Sequence, residues 1–511
     1  MREIQLPSNP EPYWREEEIP TFEPLKTSIK TEVAIVGGGI TGITAAYLLS
    51  KQNVQVVLID SDEILNGTTG HTTAKITAQH GLIYDEFITH MGEEKTAIYY
   101  QAAMRAKEFI EKTISEHQMD CDYESQDAYV YTNDDHYIMQ LENEMKAYEK
   151  LSIDSEYLTE IPLKLPLKAA IKMKNQAQFH PLKYLKELVK LCKENGVTFY
   201  ENTPAIDIEY NKHPNILTKD GHRITCNHVI IASHFPFYDK QGFYFARMYP
   251  KRSYVVAATS KLEYPGGMYI NAESPTRSIR TTPGKDEPLW LIGGEGHKTG
   301  QGESVMHHYE KLKKFSSEHF DVKEFVYRWS AQDLTTMDKV PYIGPITKGE
   351  SNVYVATGYR KWGMTNGTVA AMILADEITN IPNDYAEIYV PSRFQPDPSV
   401  RKFISMNADV AKHMIKGKLD FSDNKLDEIK VDEAIVTRIN GKRTGVYKDK
   451  QDTLHAVDTT CTHLGCEVEW NSGDRSWDCP CHGSRFSYKG DVLEGPAKKP
   501  LAKVDMKTKN G

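Results

Sequence analysis

The sequence Glu32-Val-Ala-Ile-Val-Gly37-Gly-Gly39-Ile-Thr-Gly42 stands near the N-terminus and runs into the helix-forming stretch ITAAYLLSK. Residues Glu32–Val36 are predicted to form a buried parallel strand, and Gly37, Gly39 and Gly42 fill the pattern G-x-G-x-x-G. Glycines at these positions allow a tight turn and a close approach of the backbone to a pyrophosphate, which faces the N-terminus of the following helix. The stretch therefore predicts an α/β unit that binds a dinucleotide.

A second predicted strand supports this interpretation. Val54–Ile59 is apolar and ends at Asp60, eighteen residues beyond Gly42. An acidic residue at this distance takes the ribose hydroxyls of a bound dinucleotide. The alternative is that Asp60 is a turn residue at the end of the strand. The predicted strand, turn, helix, second strand and acidic residue follow one another at the spacing of a dinucleotide-binding unit, which favours Asp60 as a ribose ligand.

The segment Gly67-Thr68-Thr69-Gly70-His71-Thr-Thr-Ala-Lys75 is rich in small and hydroxylated residues. This composition suits neither a helix start nor a core strand and indicates a loop that lies against a ligand. Further along, Asp338–Ile346 and Val353–Asp376 predict a strand, a short loop and an Ala-rich helix. The loop contains Gly358, Gly363, Met364 and Thr365.

Two short clusters near the C-terminus carry potential metal ligands: Cys461-Thr-His463-Leu-Gly-Cys466 and Cys479-Pro-Cys481-His482-Gly-Ser484. Two Cys and two His can bind zinc, but in a zinc finger the ligands usually come as a Cys pair followed by a His pair. Here each loop offers one Cys–His couple and keeps a spare Cys. A [2Fe–2S] centre with two His on one iron requires this arrangement. Cys461 and Cys479 would then hold one iron, and His463 and His482 the other.

This pattern resembles the Rieske ferredoxin family, and specifically its disulfide-containing branch. The resemblance implies that Cys466 and Cys481 join the two loops as a disulfide, which is unusual in a reducing compartment. It also implies that Ser484 donates a hydrogen bond to a cluster sulfur. A Tyr two residues further on donates another in high-potential members, and Phe486 has no hydroxyl, so we expect an intermediate potential.

The N-terminal part resembles the D-amino-acid-oxidase-like flavoprotein family, in which the loop after the second strand runs beneath the flavin ring. The resemblance implies FAD as the dinucleotide, with Thr68, Thr69 and His71 beside it. His71 matches a His that carries the flavin covalently in dimethylglycine and sarcosine dehydrogenases, although its flanking residues differ. Covalent attachment, a noncovalent contact and a structural role for His71 all stay open. The closing motif at Gly358–Thr365 implies that helix N-terminal amides face the flavin pyrimidine, the alternative being an ordinary αβ unit.

The fold class expected from these parts is α/β, with a Rossmann-like FAD domain, an inserted α+β substrate domain and a small all-β Rieske domain. Residues 1–425 form the flavoprotein and 426–511 the Rieske domain, after a polar linker at 416–427. The FAD-binding part is expected at about 30–90, 175–235 and 338–390, and the substrate part at about 91–174 and 236–337.

The two cofactors together predict a dehydrogenase that oxidises an amine, an N-methylated amine or an amino acid. Electrons would pass one at a time through the cluster to an acceptor protein or a quinone. One alternative is a reductase running from a donor through the cluster to flavin, and another is a redox-responsive binding protein. A reductase that uses NAD(P)H needs a second nucleotide site, and the only candidate is Gly293–Gly300, which no strand with a terminal acid follows.

Catalytic residues are not defined by the sequence. His71 and Lys75 are candidates because they would lie near the flavin. Arg247, Arg252 and Arg280 lie in the expected substrate sheet and could bind a carboxylate, although a structural role is favoured for each.

Composition excludes several classes of function. The net charge is −9 and no basic stripe occurs, which argues against nucleic acid as a partner. No apolar stretch approaches the eighteen residues of a membrane span, and the first residues do not resemble a signal peptide. We therefore expect a cytoplasmic protein, or one that is peripheral at a membrane through its electron acceptor.

Overall fold

The structure is a computed structural model that describes residues 4–210, 212–239, 242–302, 304–393, 396–419 and 426–506. Within these ranges the helices are α1 (Ile40–Ser50), α2 (Tyr84–His117), α3 (Ile138–Lys150), α4 (Pro181–Glu194), α5 (Tyr244–Arg247), α6 (Val305–His319), α7 (Gly363–Ile378), α8 (Ala386–Tyr389) and α9 (Pro396–Leu419). Short 3-10 helices occupy Tyr13–Glu16, Thr68–His71, Asp135–Tyr137 and Leu426–Glu428.

The strands before residue 394 are β1 (Ile29–Lys30), β2 (Val33–Val36), β3 (Val56–Ile59), β4 (Lys75–Ile76), β5 (Glu124–Thr132), β6 (Ser155–Leu158), β7 (Ala169–Gln178), β8 (Thr198–Tyr200), β9 (Ala205–Tyr210), β10 (Pro214–Thr218), β11 (Arg223–Thr225), β12 (His228–Ile231), β13 (Met248–Ser260), β14 (Met268–Asn271), β15 (Arg277–Thr282), β16 (Leu289–Lys298), β17 (Val322–Thr336), β18 (Tyr342–Thr347) and β19 (Glu350–Thr357). The strands after residue 425 are β20 (Ala434–Ile439), β21 (Lys442–Lys448), β22 (Leu454–Asp458), β23 (Glu469–Asn471), β24 (Ser476–Asp478), β25 (Arg485–Ser487) and β26 (Val492–Glu494).

A six-stranded sheet with the order β18-β19-β12-β2-β3-β8 forms the dinucleotide-binding core. Its pairs are parallel except for β18 with β19. All four residues of β2 and of β3 are buried, as expected of parallel strands covered on both faces. Helices α1, α4 and α7 contribute to the apolar core on one side of this sheet. A four-stranded sheet, β1-β11-β10-β9, stands beside it.

The second large sheet has the order β17-β13-β16-β15-β14-β5-β7-β4, with β6 paired to β7. Its pairs are antiparallel except for β14 with β5. The segment of Gly293, Gly294 and Gly296 lies inside β16, and the next helix begins only at Val305. These glycines therefore do not form the strand-to-helix turn of a second nucleotide site.

The C-terminal segment is built from two small antiparallel sheets, β20-β21-β22 and β23-β24-β25-β26. The Asn440-Gly441 turn joins β20 to β21, and both residues have positive φ, as a two-residue hairpin requires. The fold class predicted from the sequence, α/β followed by a small all-β domain, is confirmed.

The segment before the predicted domain boundary differs in part from the sequence prediction. Helix α9 continues to Leu419, so residues 416–419 are helical where a polar linker was expected. The predicted boundary at 425 lies among residues 420–425, which are outside the described part of the chain. Among the described residues, no helix is both long and apolar enough to cross a membrane.

Candidate FAD and iron–sulfur sites

The turn between β2 and α1 consists of glycines and so exposes only backbone atoms. A Cβ atom added at Gly42 would meet the carbonyl oxygen of Gly37 at 1.9 Å, and one added at Gly37 would meet that of Ala232 at 2.4 Å. Gly37 also has a φ of +117°, which disfavours residues with a side chain. Only glycine therefore fits at these two positions, and the turn presents its N–H groups at the start of α1 as a pyrophosphate site requires.

Asp60 closes the same turn from the end of β3. Its Oδ2 accepts a hydrogen bond from the N–H of Gly38 at 2.6 Å, and its Oδ1 accepts one from the N–H of Asp62 at 3.0 Å. Burial raises the pKa of this carboxyl to about 6, although both hydrogen bonds oppose the shift. The carboxylate thus lies beside the glycine turn, where a ribose ligand is expected, and its role as a ligand stays a prediction.

The loop after β3 approaches the same helix. Thr69 Oγ1 accepts from the N–H of Ile40, the first residue of α1, at 3.1 Å. His71 Nδ1 bonds to the carbonyl of Gly67 at 2.9 Å, so Nδ1 carries the proton and Nε2 holds the lone pair. Trp329 Nε1 donates to the carbonyl of His71 at 2.9 Å and anchors the loop on β17. The expected loop therefore contains a 3-10 turn at Thr68–His71 and lies between α1 and the large sheet.

Helix α7 contacts the chain just after β4 with its N-terminal turn. Thr365 Oγ1 accepts from the N–H of Thr77 at 3.1 Å and donates to its carbonyl at 2.9 Å. Gly358 ends β19 with a φ of +84°, and a Cβ there would meet Thr336 at 2.5 Å. Met364 packs in the apolar core. The N-terminus of α7, which starts at Gly363, therefore lies next to Thr77, directly after β4, and its position beside a flavin stays a prediction.

Three cations line the space between these segments. Lys75 Nζ donates to Ser278 Oγ at 2.7 Å, and burial, together with the charges of Arg280 and Lys361, lowers the pKa of this amine to about 7. Arg280 donates to the carbonyls of Ala74 and Phe179, and burial lowers its pKa to about 10. The charge of Lys361 acts on Lys75, and the pKa of Lys361 is itself lowered by burial and by the charges of Lys251 and Arg360, so Lys361 lines the same space, here called the cleft.

The acidic residue beside these cations is Asp333, on β17. Its Oδ1 accepts the N–H of Lys361 at 3.1 Å, and burial raises its pKa. The surroundings of Lys75 are therefore electropositive. Arg280 alone of the three arginines named from the sequence lies here. Arg247 instead bonds to the carbonyls of Gly242 and Pro391.

The two cysteine–histidine loops share one backbone design. The N–H of Cys461 donates to the carbonyl of Cys466 at 2.7 Å, and the N–H of Cys479 donates to that of Ser484 at 2.8 Å. Each loop has a glycine at its fifth position, Gly465 or Gly483, with a positive φ, and its N–H donates to the carbonyl of the first cysteine at 3.0 Å. Two matched loops thus face each other.

Their side chains converge as a [2Fe–2S] site requires. The rings of His463 and His482 are 5.0 Å apart and nearly perpendicular, and Nδ1 of His463 is buried without a hydrogen-bond partner. A hydrogen bond between the sulfurs of Cys461 and Cys479 lowers the pKa of Cys461 to about 7 and raises that of Cys479. An unpaired imidazole nitrogen on His463 and an easily ionised thiol on Cys461 fit metal ligands, and the assignment of these four residues stays a prediction.

The spare cysteines form the predicted disulfide. Cys466 and Cys481 are bonded, with their Cα atoms 6.6 Å apart, and both are buried. The sulfur of Cys479 lies within 4.8 Å of both of their sulfurs. Disulfide sulfurs carry no thiolate, so Cys466 and Cys481 do not compete for the metal. A hydrogen bond from Ser484 contributes to the lowered pKa of Cys461, and its bond to a cluster sulfur stays a prediction.

Strand β17 separates the two candidate sites and contacts both. On one face, Trp329 bonds to the loop of His71 and Asp333 bonds to Lys361. On the other face, Ser330 Oγ donates to Asp474, and Gln332 Nε2 donates to the carbonyl of Gly483 at 3.0 Å. Side chains of a strand alternate between faces, so the loop of His71 and the cysteine–histidine loop of His482 lie on opposite sides of the same strand.

Sequence reasoning missed the residues that join the two domains. Arg252 does not reach the flavin cleft but pairs with Asp474 of the C-terminal domain. The ring of Phe245 packs against His463 and His482, with centroids 5.4 and 5.5 Å away. The alternation of Arg328, Ser330 and Gln332 along β17 could have indicated a polar contact face, but nothing in the sequence names its partner.

These features define an iron–sulfur flavoprotein oxidoreductase. The sequence matches the family of FAD dependent oxidoreductases over residues 32–377 and the Rieske [2Fe-2S] domain over residues 421–505. The chain belongs to this FAD-dependent oxidoreductase family and carries a C-terminal Rieske domain. Its cofactors are FAD and a [2Fe–2S] cluster.

Known proteins share all or part of this architecture. The Rieske 2Fe-2S iron-sulfur protein YhfW of Bacillus subtilis (strain 168) is 48% identical over 498 residues, which cover 97% of this chain and 98% of that protein. Gamma-glutamylputrescine oxidoreductase of Escherichia coli (strain K12) is 21% identical over 70% of this chain and 85% of its own length. Glycine oxidase from Geobacillus kaustophilus matches in fold with a TM-score of 0.61, 17% identity and coverage of 71% of this chain and 99% of that one.

Proposed function

We propose that the protein is a dehydrogenase that oxidises an amine, an N-methylated amine or an amino acid and sends the electrons one at a time through the Rieske cluster to an external acceptor. When bound, FAD takes two electrons from the substrate as a hydride, and the [2Fe–2S] cluster carries single electrons. The observation that carries the proposal is the position of β17, which contacts the loop of His71 on one face and the loop of His482 on the other.

The cations of the cleft support a substrate with a carboxylate. Lys75 and Lys361 approach from two different segments, and Arg280 lies beside Lys75 on the large sheet. Asp333 faces Lys361, and Glu124 and Asp122 face Arg280, whereas the charges that act on Lys75 are both positive. An anionic substrate would therefore be attracted to Lys75. Amino acids and N-methyl amino acids have this charge, whereas simple amines do not.

Lys75 also supports proton removal from the substrate nitrogen. An amine whose pKa is lowered to about 7 is about half neutral near neutral pH, and a neutral amine accepts a proton. Its hydrogen bond to Ser278 fixes the direction of Nζ. Lys75 would therefore hold the proton that leaves an ammonium substrate before oxidation.

The test is anaerobic stopped-flow of the holoprotein with a panel of amines and N-methyl amino acids, following flavin absorbance and the cluster's EPR signal together. We expect one substrate to bleach the flavin and the signal of the reduced cluster to grow in afterwards. Each active amino acid is compared with its methyl ester, and the ester should react at least tenfold more slowly because it lacks the carboxylate charge.

Reduction of the cluster before the flavin would overturn the proposed direction of electron flow. If no substrate bleaches the flavin, but NADH, NADPH or a reduced ferredoxin reduces the cluster first, then the protein is a reductase. Equal rates for an amino acid and its ester would overturn the role of the cleft cations but would not affect the proposed direction of electron flow.

A further inference from the structure

The last strand of the C-terminal domain, β26, ends against the chain that borders the glycine turn of the FAD domain. A Cβ atom added at Gly495, directly after β26, would lie 3.6 Å from Phe235. The segment that contains Phe235 also contacts the glycine turn, since a Cβ at Gly37 would meet the carbonyl oxygen of Ala232 at 2.4 Å. Glu494, the last residue of β26, therefore lies next to a segment that borders the expected pyrophosphate site.

The carboxylate of Glu494 has one paired and one unpaired oxygen. Arg485 Nη1 donates to Oε1 at 2.5 Å, and Arg252 Nη1 lies 3.9 Å from the same oxygen. Oε2 is buried and has no hydrogen-bond partner among the described residues. Burial opposes ionisation of Glu494, but the charges of Arg485, Arg252 and His234 outweigh it and lower its pKa. Because a buried charged oxygen without a donor is costly, Oε2 is suited to a donor group of a bound molecule.

Glu494 also lies close to residues of the FAD domain on both sides of the cleft. Burial is the main cause of the lowered pKa of His71 and of the raised pKa of Asp333, and the charge of Glu494 opposes the first shift and adds to the second. Strand β17, which carries Asp333, is the terminal strand of the large sheet. A side chain from the C-terminal domain can therefore reach past the free edge of β17 toward the cleft.

His234 supplies a second buried polar atom in the same region. Its Nε2 is buried without a hydrogen-bond partner among the described residues. Its carbonyl accepts from Thr357 Oγ1 at 2.5 Å, which fixes the residue beside the end of β19. Its charge acts to lower the pKa of both Glu494 and Asp333, so it lies near both carboxyls. A carboxylate oxygen only accepts, whereas an imidazole nitrogen can donate or accept, and a hydroxyl group can satisfy both.

We propose that Glu494 of the Rieske domain is part of the FAD site, where its Oε2 accepts a hydrogen bond from a hydroxyl of the ribityl chain of FAD. The ribityl chain joins the pyrophosphate to the flavin ring, so it is the hydroxyl-bearing part of FAD between the glycine turn and the loop of His71. The C-terminal domain thus completes the flavin site of the other domain. This assignment rests on FAD as the cofactor and does not depend on the substrate or on the direction of electron flow.

The experiment measures the dissociation constants of FAD and of three FAD analogues that each lack one ribityl hydroxyl. Every protein is the full chain with its cluster and without its flavin, and every protein carries His71→Asn, so that binding is reversible whether or not His71 bonds covalently to flavin. Quenching of flavin fluorescence follows binding. We expect the reference protein to bind one analogue at least tenfold more weakly than FAD, because a hydrogen bond to a charged group is lost.

Three variants show whether Glu494 makes this hydrogen bond. Glu494→Ala should bind FAD at least tenfold more weakly and should bind the same analogue within about threefold of FAD. Glu494→Gln keeps an acceptor oxygen without the charge, so its preference for FAD should lie between those of the reference protein and Glu494→Ala. The matched control is Asp478→Asn, because Asp478 bonds to the same Arg485, at 3.1 Å, but otherwise to Asn471 and Ser476 of its own domain. It should keep the tenfold preference, and the EPR spectrum of the reduced cluster checks that each variant keeps its cluster.

Three results would overturn the proposal. The first is a reference protein that binds none of the analogues at least tenfold more weakly than FAD. The second is a tenfold preference that survives in Glu494→Ala or is unchanged in Glu494→Gln, because another group would then bind the hydroxyl. The third is an equal loss of preference in Asp478→Asn, because the loss would then come from the charge network around Arg485 and not from a contact of Glu494 with FAD.

Discussion

Arg252 of β13 and Asp474 of the Rieske domain form an ion pair with Nη2 and Oδ2 2.7 Å apart, and their side chains are only 3% and 8% exposed. Ser330 accepts from Arg252 at 2.6 Å and donates to Asp474 at 3.0 Å. Arg485 approaches the same carboxylate at 3.5 Å. Burial opposes ionisation of Asp474, but the two arginines outweigh it and lower its pKa to about 2. The domains are thus joined by a buried charge network.

Removal of one partner of this pair should be costly. Asp474→Asn leaves the buried charge of Arg252 with only the more distant carboxylate of Glu494, 3.9 Å away, so we expect the free energy of unfolding to fall by about 3 to 5 kcal/mol. The variant should also separate the domains, which small-angle X-ray scattering would detect as a larger radius of gyration.

A matched pair and a double variant test this interpretation. Lys298 and Asp409 form a pair of similar length with side chains 38% and 28% exposed, so Asp409→Asn should cost less than about 1 kcal/mol. Arg252→Met/Asp474→Leu removes both charges and should recover most of the loss. A double variant as unstable as Asp474→Asn would show that packing, and not the charge, dominates.

The same pair predicts acid sensitivity with a definite sign. The pKa of Asp474 lies below its unfolded value of about 3.9, so its stabilising contribution is present above that value and is lost as the pH falls toward 2. In Asp474→Asn this part of the pH dependence should be absent. Chemical unfolding of both proteins between pH 2.5 and 6 measures the difference.

Lys75 predicts the pH dependence of substrate oxidation. Its pKa of about 7 means that the neutral amine forms as the pH rises through neutrality. We expect kcat/KM to rise with pH through about 7 and to level off above it. Lys75→Met should remove this limb and lower the plateau about a hundredfold.

His71 provides the control for this assignment. Burial lowers the pKa of His71 below its ordinary value, so it does not share the limb near pH 7. His71→Asn should therefore keep a rise at the same pH, whatever its effect on flavin binding. A limb that survives in Lys75→Met would assign the titration to another group.

The local patterns that predicted the fold are those in which a residue's neighbours in sequence are also its neighbours in space. The turn at Gly37–Gly42 follows because no side chain at Gly42 fits beside the carbonyl of Gly37. The Asn440-Gly441 hairpin follows because two adjacent residues take positive φ. The Cys466–Cys481 disulfide was implied by the resemblance to the Rieske family and is present.

Contacts between domains could not be predicted in this way. Arg252 lies 222 residues from Asp474, and a strand that alternates polar and apolar residues does not name what covers it. Arg252 was therefore a candidate carboxylate ligand from the sequence, whereas Asp474 was not noticed. For the same reason, the sequence did not indicate the contacts of Phe245 and Gln332, since their partners belong to the other domain.

The disulfide predicts how firmly the cluster is held. It closes a loop with a sequence separation of 15, which corresponds to about 3 kcal/mol of stabilisation. We expect Cys466→Ser/Cys481→Ser to lose its visible absorbance at a lower temperature than the parent protein and to contain less iron. Cys226→Ala, at a buried free cysteine in the FAD domain, should keep the iron content of the parent. Equal cluster retention in all three proteins would contradict a holding role.

Ser484 should set part of the cluster potential. Its Oγ accepts the N–H of Ala497 at 3.0 Å, which leaves its own proton to donate toward Cys461. A donor stabilises the more negative, reduced cluster. A hydrogen bond to a charged group contributes about 1.5 to 3 kcal/mol, so Ser484→Ala should lower the reduction potential by about 60 to 130 mV. Ser484→Thr keeps the hydroxyl and should stay within about 30 mV of the parent protein. Voltammetry of the three proteins measures the order, and a Thr variant as low as the Ala variant would mean that loop geometry, and not the donated proton, sets the potential.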